Sequence, residues 1–221
     1  MDHYAFPCPD IKANGKPPLV LVACGSFSPI TFMHLRLFEM AKDKLQEHFN
    51  VIAGYISPVH DSYNKSGLLN STHRLEMCKR AVESSEWLYV DAWEVLQSDW
   101  QRTKLVLEHF HKHLCHLQCE IMLLAGADLV YSFITPDLWD RMDVESLLVH
   151  FGIVVIERKG TDLWEAILEH DHLYAFKVLF IHTAQATHRP TSHIQRHLSH
   201  QGAAIYKARH VHQVPYTRLC D

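Results

Sequence analysis

The sequence predicts an α/β protein, a doubly wound, mostly parallel, Rossmann-like sheet with helices on both faces. Short apolar runs alternate with amphipathic helical stretches over most of the 221 residues. The runs are continuously apolar, the pattern of strands buried on both faces of a parallel sheet. Glycines, polar groups and aromatics gather just after them, where ligands bind in such sheets.

The elements follow in order. Residues 19–24 (LVLVAC) read as the first strand, broken by Gly25, Ser26 and Pro29. From Phe32 onward Leu35, Phe38, Ala41 and Leu45 recur at helical spacing, which predicts a helix over 32–48. A second strand is expected at 51–57 (VIAGYIS), a helix at 71–85, and a third strand at 87–91 (WLYVD). A helix at 97–116 leads to the fourth strand, 121–125 (IMLLA). Helix 143–150, strand 152–157 (GIVVIE), helix 162–170, strand 177–182 (KVLFIH) and a last helix near 191–200 complete the alternation. No repeat or linker interrupts it, so one domain over 18–221 is the simplest count. Residues 1–17, polar and proline-containing, read as a flexible N-terminal tail rather than a signal peptide.

Composition narrows the function classes. A formal net charge of −4 argues against an electrostatic nucleic-acid binder, and no apolar run approaches the ~18 residues of a membrane span. The six cysteines show no CxxC pair and read as reduced thiols of an intracellular protein. Nineteen histidines raise the question of a metal. His109, His113 and His116 share one helical face with Cys115 beside it, but the paired short spacings of a zinc finger and the HExxH pattern are both missing, so no metal ligand is assigned.

The stretch 19–45 is the most informative. A strand feeding a helix through a short Gly/Ser loop aims backbone N–H groups and the positive helix end at one point, which favours phosphate. His34, in the first helical turn, could reach the same anion. An ordinary βα corner with a surface histidine would look the same. The other strand ends add Ser57, Pro58, Val59, His60 and Asp61, then Asp91, Trp93 and Glu94, then Gly126 and Asp128, and finally Arg158.

These residues carry a family resemblance. GSFSPITFMHLRLFEMAKD (25–43) resembles the nucleotide-binding motif of the eukaryotic nicotinamide-mononucleotide adenylyltransferases, in the superfamily whose signature ends in a T/H-x-x-H pair, here Thr31 and His34. The resemblance continues through SPVHDSYNKSGLL (57–69), HRLEMCKRAV (73–82), WLYVDAWE (87–94), LLAGADLVYSF (123–133), TPDLW (135–139) and FGIVVIERKG (151–160). It implies attack of the mononucleotide 5′-phosphate on the ATP α-phosphorus, giving NAD and pyrophosphate, with nicotinic acid mononucleotide as a second acceptor.

By the same resemblance, Gly25, Ser26 and Phe27 hold phosphate through backbone N–H groups and Thr31 belongs to the nucleotide motif. His34 donates to the ATP phosphates, and Lys65 neutralises them. Trp93 stacks on the nicotinamide ring with Glu94 beside it. Gly126 and Asp128 form the GxD that contacts ribose and lies close to magnesium-bound water. Leu138 and Trp139 line the nicotinamide pocket, and Arg158 lies near the adenylate phosphates. Mg²⁺ is the expected cofactor, held mainly by ATP phosphates and water rather than by protein ligands. The partners implied are ATP and nicotinamide mononucleotide, with no nucleic acid and no membrane, and a homo-oligomer as in relatives. The expected compartment is the cytoplasm, with the nucleus open to a chain of 25.6 kDa.

From about residue 183 the chain departs from the family. RPTSHIQRHL (189–198) stands where relatives carry an ISSTxIRR-like phosphate grip. Thr191, Ser192, Ile194 and Arg196 match, but Gln195 replaces the first arginine and Pro190 one of the serines. Thr191 and Ser192 are expected to bind phosphate and Arg196 to supply the remaining positive charge. These departures motivate one alternative reading, a catalytically weakened, non-catalytic or chaperone-like nucleotide binder; a second, a nucleotidyltransferase for another phosphate acceptor, would predict no ring-stacking tryptophan after the third strand, where Trp93 stands.

Overall fold

The computed structural model describes residues 4–157 and 178–182. Arg158, Thr191, Ser192 and Arg196, and the helices expected at 162–170 and 191–200, lie outside the described residues. Two compact units divide the chain, one running to Leu124 and one beginning at Ala125.

In the first unit, β1 (Pro18–Gly25), α1 (Phe32–Leu45), β2 (Asn50–Pro58), α2 (Ser71–Val82), β3 (Leu88–Val90), α3 (Thr103–Leu114) and most of β4 (Glu120–Gly126) alternate as expected. β1 pairs in parallel with β2 from Pro18↔Asn50 to Gly25↔Pro58. On its other side it pairs in parallel with β4, from Leu19↔Glu120 to Val22↔Leu123. β3 pairs in parallel with β2 from Gly54↔Leu88 to Ile56↔Val90. The strand order is therefore β3-β2-β1-β4. The chain winds outward from β1 to β3 and then returns to the far side of β1. That reversal is where parallel sheets open a crevice at their carboxyl ends.

Parallel strands need both faces covered, and the sequence supplies the cover. Leu19 to Val22 are fully buried, and Phe38, Ala41 and Leu45 of α1 and Val106, Leu107, Phe110 and Leu114 of α3 are buried with them. Gly54 in β2 has no room for a side chain. A Cβ there would stand 2.6 Å from both the Leu88 and Phe38 side chains, so glycine lets α1 and β3 approach.

The second unit holds α4 (Ala127–Phe133), α5 (Arg141–His150), β5 (Ile153–Glu157) and β6 (Val178–His182). β5 and β6 pair in parallel from Ile153↔Val178 to Glu157↔His182. Val144, Leu147 and Leu148 of α5 and residues Ile153 to Ile156 form its buried core. Asp140 caps α5 by accepting from Met142 N–H at 2.8 Å. No helix among the described residues is long and apolar enough to cross a membrane.

The structure corrects three expectations. Residues 4–17 carry no regular structure, but residues 4–9 are packed rather than a free tail, while 10–17 are exposed. Tyr4 and Phe6 meet rings of α3, and the Tyr55 hydroxyl donates to the Pro7 carbonyl at 2.5 Å. Buried aromatic area and satisfied hydrogen bonds outweigh the polar composition. The helix expected at 97–116 begins at Thr103, because 97–102 is a loop held by Asp99, whose carboxylate accepts from Trp100 N–H at 2.7 Å. Finally, α4 was not expected. Its seven residues are too few for a periodic signal, and burial of Ala127, Val130 and Phe133 sustains it.

Candidate functional site

The loop after β1 is fixed from two sides. Val59 N–H donates to the Gly25 carbonyl at 3.0 Å, and Leu69 N–H donates to the Ser28 hydroxyl at 3.0 Å. Phe27 adopts φ 42°, a left-handed backbone rarely taken by a bulky residue. Its buried ring meets His34 edge to face at 5.2 Å. Such conformations persist only where the surroundings over-determine them, and they gather at functional sites.

Thr31 is the extended N-cap of α1, and His34 is its third helical residue. Thr31 N–H donates to His34 Nδ1 at 2.9 Å. With Nδ1 accepting, the proton of a neutral imidazole sits on Nε2, which makes His34 a donor through Nε2. The half-buried ring stands at the positive end of a 14-residue helix.

Lys65 lies on the exposed loop between β2 and α2, and its Nζ donates to the Ser26 hydroxyl at 2.8 Å. A residue not singled out in the sequence aligns that loop with the first. Arg74 of α2 is fully buried and spends its fork on backbone carbonyls: Nε to Leu69 at 2.7 Å, one Nη to Ser26 at 2.9 Å and the other to Val59 at 2.7 Å. The second Nη also reaches Asp61 Oδ1 at 3.0 Å. Burial raises the Asp61 pKa, but hydrogen bonds from Ser71 and Arg74 outweigh it and hold the carboxyl below its ordinary value. Asp61 also accepts from Ser71 N–H at 2.6 Å, pinning the start of α2. A lone arginine inside an amphipathic helix gives no sequence signal, since its solvated and buried forms read alike.

The third strand end has a different character. Glu94 is 1% exposed, and neither its carboxylate oxygens nor the nearby buried Ser57 hydroxyl makes a hydrogen bond of normal geometry, although Ser57 and the backbones of His60 and Gln101 lie close enough to favour the charged form. Burial pushes the Glu94 pKa up to about 8, against the smaller favourable influence of the His60 backbone, Arg74 and Ser57. A buried carboxyl so weakly served is costly to ionise, and it favours the protonated form. Trp93, half-buried, stacks on His109 of α3 with centroids 4.4 Å apart and planes 12° apart. His109 is itself held by Asp91 and Tyr4. Its Nε2 lies 3.2 Å from Asp91 Oδ2 and 2.9 Å from the Tyr4 hydroxyl, which donates to Asp91 Oδ1 at 2.6 Å. Burial and the Asp91 carboxylate raise the Tyr4 pKa, which keeps the phenol a donor.

The histidines weighed as metal donors take separate partners. His113 Nδ1 lies 2.9 Å from the His109 carbonyl, Cys115 donates to the Lys112 carbonyl at 3.5 Å, and His116 Nε2 lies 3.9 Å from Cys8 Sγ.

In the second unit, Gly126 caps α4, and a Cβ there would stand 2.5 Å from Asp128 Oδ1. Glycine therefore lets the exposed Asp128 carboxylate fold back over the helix start. Trp139 donates to the Ser132 hydroxyl at 2.8 Å and meets Phe133 edge to face at 4.8 Å. With Thr135, Asp137, Arg141 and Val144 these two rings line a cleft of about 200 Å³. Leu138 is 61% exposed and is not among the lining residues.

The first unit thus brings Gly25, Ser26, Phe27, Thr31, His34 and Lys65 together around one loop, and Trp93 and Glu94 stand side by side at the end of β3. A parallel α/β sheet whose first strand turns tightly into a helix bearing a histidine in its first turn has the architecture of a nucleotide-handling protein.

Known proteins agree with that class. The cytidylyltransferase-like family matches residues 22–204. The chain is 44% identical over 196 residues to a nicotinamide/nicotinic acid mononucleotide adenylyltransferase of Schizosaccharomyces pombe, covering 80% of this chain and 53% of the relative. An Arabidopsis thaliana protein of that name is 46% identical over 159 residues, covering 69% of this chain and 67% of the relative. A Bos taurus protein named nicotinamide/nicotinic acid mononucleotide adenylyltransferase 1 is 36% identical over 206 residues, with 74% and 73% covered. The chain spans about half the length of the fungal relatives it matches. It belongs to the cytidylyltransferase-like family, in the branch of the nicotinamide-mononucleotide adenylyltransferases.

Proposed function

We infer that this chain transfers the adenylyl group of ATP to nicotinamide mononucleotide or nicotinic acid mononucleotide, forming the dinucleotide and pyrophosphate. The observation that supports it best is the junction of two loops: Lys65 reaches Ser26 at 2.8 Å, beside the helix start where His34 is held with Nε2 as donor. The acceptor 5′-phosphate oxygen attacks the α-phosphorus, and the bond to the β-phosphate oxygen breaks. Such transfers depend on positioning and charge stabilisation rather than covalent help. Backbone N–H groups of Gly25 to Phe27, the positive end of α1, His34 and Lys65 would oppose the charge that gathers on the leaving pyrophosphate.

At the other end of the acceptor, Trp93 would carry the pyridine ring, with Glu94 beside it. Leu138, Trp139, Gly126 and Asp128 take their binding roles from the resemblance, as do Arg158, Thr191, Ser192 and Arg196. Magnesium would enter on the triphosphate, bound by its oxygens and water and supplying charge neutralisation there, with Asp128 as a carboxylate suited to hold those waters. Unpaired thiols at Cys8, Cys24, Cys78, Cys115 and Cys119 fit a reducing compartment such as the cytoplasm. The test is incubation with ATP, Mg²⁺ and each mononucleotide, with NAD or its acid form read by a coupled enzyme. Formation of neither dinucleotide, by protein that binds ATP, would sink the reading.

A further inference from the structure

The Tyr4–Asp91–His109 network lies outside every role assigned so far, and it ends on Trp93. The Tyr4 phenol has a single proton, and at 2.6 Å from Asp91 Oδ1 it is spent there. His109 Nε2 lies 2.9 Å from the same phenol oxygen, to which it must then donate, and 3.2 Å from Asp91 Oδ2, near enough for charge attraction but without a hydrogen bond of normal geometry. The phenol links Asp91 Oδ1 to the imidazole only while residue 4 is docked. Around the imidazole, Phe6 lies edge to face at 5.7 Å and Phe110 at 5.5 Å, and His113 lies tilted at 4.4 Å. The ring is wedged at its edges and anchored at Nε2, and its flat side lies on the Trp93 indole at 4.4 Å with planes 12° apart. An indole covered on one face by a fixed ring has one remaining face for a planar ligand, and its χ angles are set by the ring behind it.

We propose that residues 4–10 are a positioning strap for the acceptor's base. Tyr4, through Asp91 and His109, holds Trp93 in the orientation that stacks a planar, electron-poor heteroaromatic ring. The proposal rests on the reading of Trp93 as the nicotinamide platform. His109 and Tyr4 are positioning residues, because they act through Trp93. Pre-organising an aromatic surface lowers the cost of ordering it on binding, so loosening it weakens binding of the ring and leaves the distant phosphates alone.

The experiment is a double-mutant cycle on the whole chain. Tyr4→Phe keeps the aromatic contacts and removes only the hydroxyl; His109→Leu keeps bulk and removes the flat face. Each is expected to raise KM for nicotinamide mononucleotide roughly 3- to 10-fold, with KM for ATP and kcat unchanged. In a Trp93→Ala background neither should raise it further, since coupled residues are non-additive. Trp93→Ala that raises KM for the mononucleotide, with Tyr4→Phe and His109→Leu silent or fully additive to it, overturns the strap and leaves the platform standing. Trp93→Ala without effect on that KM overturns the platform, and the strap with it. A structural role alone would lower Tm in both single variants without moving the ratio of the two KM values, and that result also counts against the proposal.

Discussion

Lys65 Nζ and Ser26 Oγ meet at 2.8 Å, joining the loop after β2 to the loop after β1 across 39 residues of sequence. Lys65 is exposed, so the bond adds little to stability, and its worth lies in where it holds a positive charge. Lys65→Ala should therefore cut turnover ~10²-fold and leave thermal unfolding within about 0.5 kcal/mol of wild type. Steady-state kinetics beside a melting curve checks both halves. A loss of fold instead would reassign Lys65 to structure.

His34→Ala should lower kcat ~10²- to 10³-fold, the loss of a donor to developing charge. The same change removes the acceptor for Thr31 N–H, so a stability loss of about 1 kcal/mol should accompany it. Near-wild-type kcat in a folded variant would remove His34 from the chemistry.

Glu94 makes stability depend on pH in an unusual direction. Its folded pKa, about 8, lies above the ordinary 4.5, so between those values the folded protein keeps a proton that the unfolded chain has released. Stability should fall as pH rises through that window, by up to about 1.4 kcal/mol per pH unit. Glu94→Gln, which cannot ionise, should remove this slope and be the more stable form at its alkaline end. Urea unfolding of both proteins at several pH values tests it, and parallel curves would show that Glu94 does not ionise within the window.

Arg74→Lys keeps the charge but loses the fork. A single ammonium cannot serve the carbonyls of Leu69, Ser26 and Val59 together with Asp61. Stability should drop by ~3–5 kcal/mol, a fall in Tm of roughly 10 °C for a chain of this size. Differential scanning calorimetry measures it; a change below about 1 kcal/mol would mean that water replaces the fork at little cost.

Local pattern carried much of this architecture. The strands announced themselves because parallel strands are apolar throughout, and β1 and β4 appeared within two residues of their expected bounds. Gly25 and Ser26 after the strand and His34 in the first helical turn suggested a phosphate loop, but an ordinary βα corner reads the same, and it was the motif resemblance over 25–43 that separated them. What stayed hidden is long-range. Arg74 joins Ser26 over 48 positions and Tyr4 joins His109 over 105, and no spacing rule reaches that far. His109 drew attention as a candidate metal donor, when its burial against an indole and a carboxylate gives it different work. Residues 4–10 looked like a tail because polar composition measures solubility of a segment, not what its two aromatics touch.

Arg74 has one more consequence, for how this part of the molecule can change over generations. Three of its four acceptors are main-chain oxygens, which every amino acid supplies. Positions 26, 59 and 69 can therefore exchange side chains without disturbing the knot that ties them, while position 74 accepts no substitute. A saturation library across 59–74 should therefore show intolerant points at 61, 65 and 74, where a side chain carries the contact, and a permissive one at 69, where only the main-chain oxygen does.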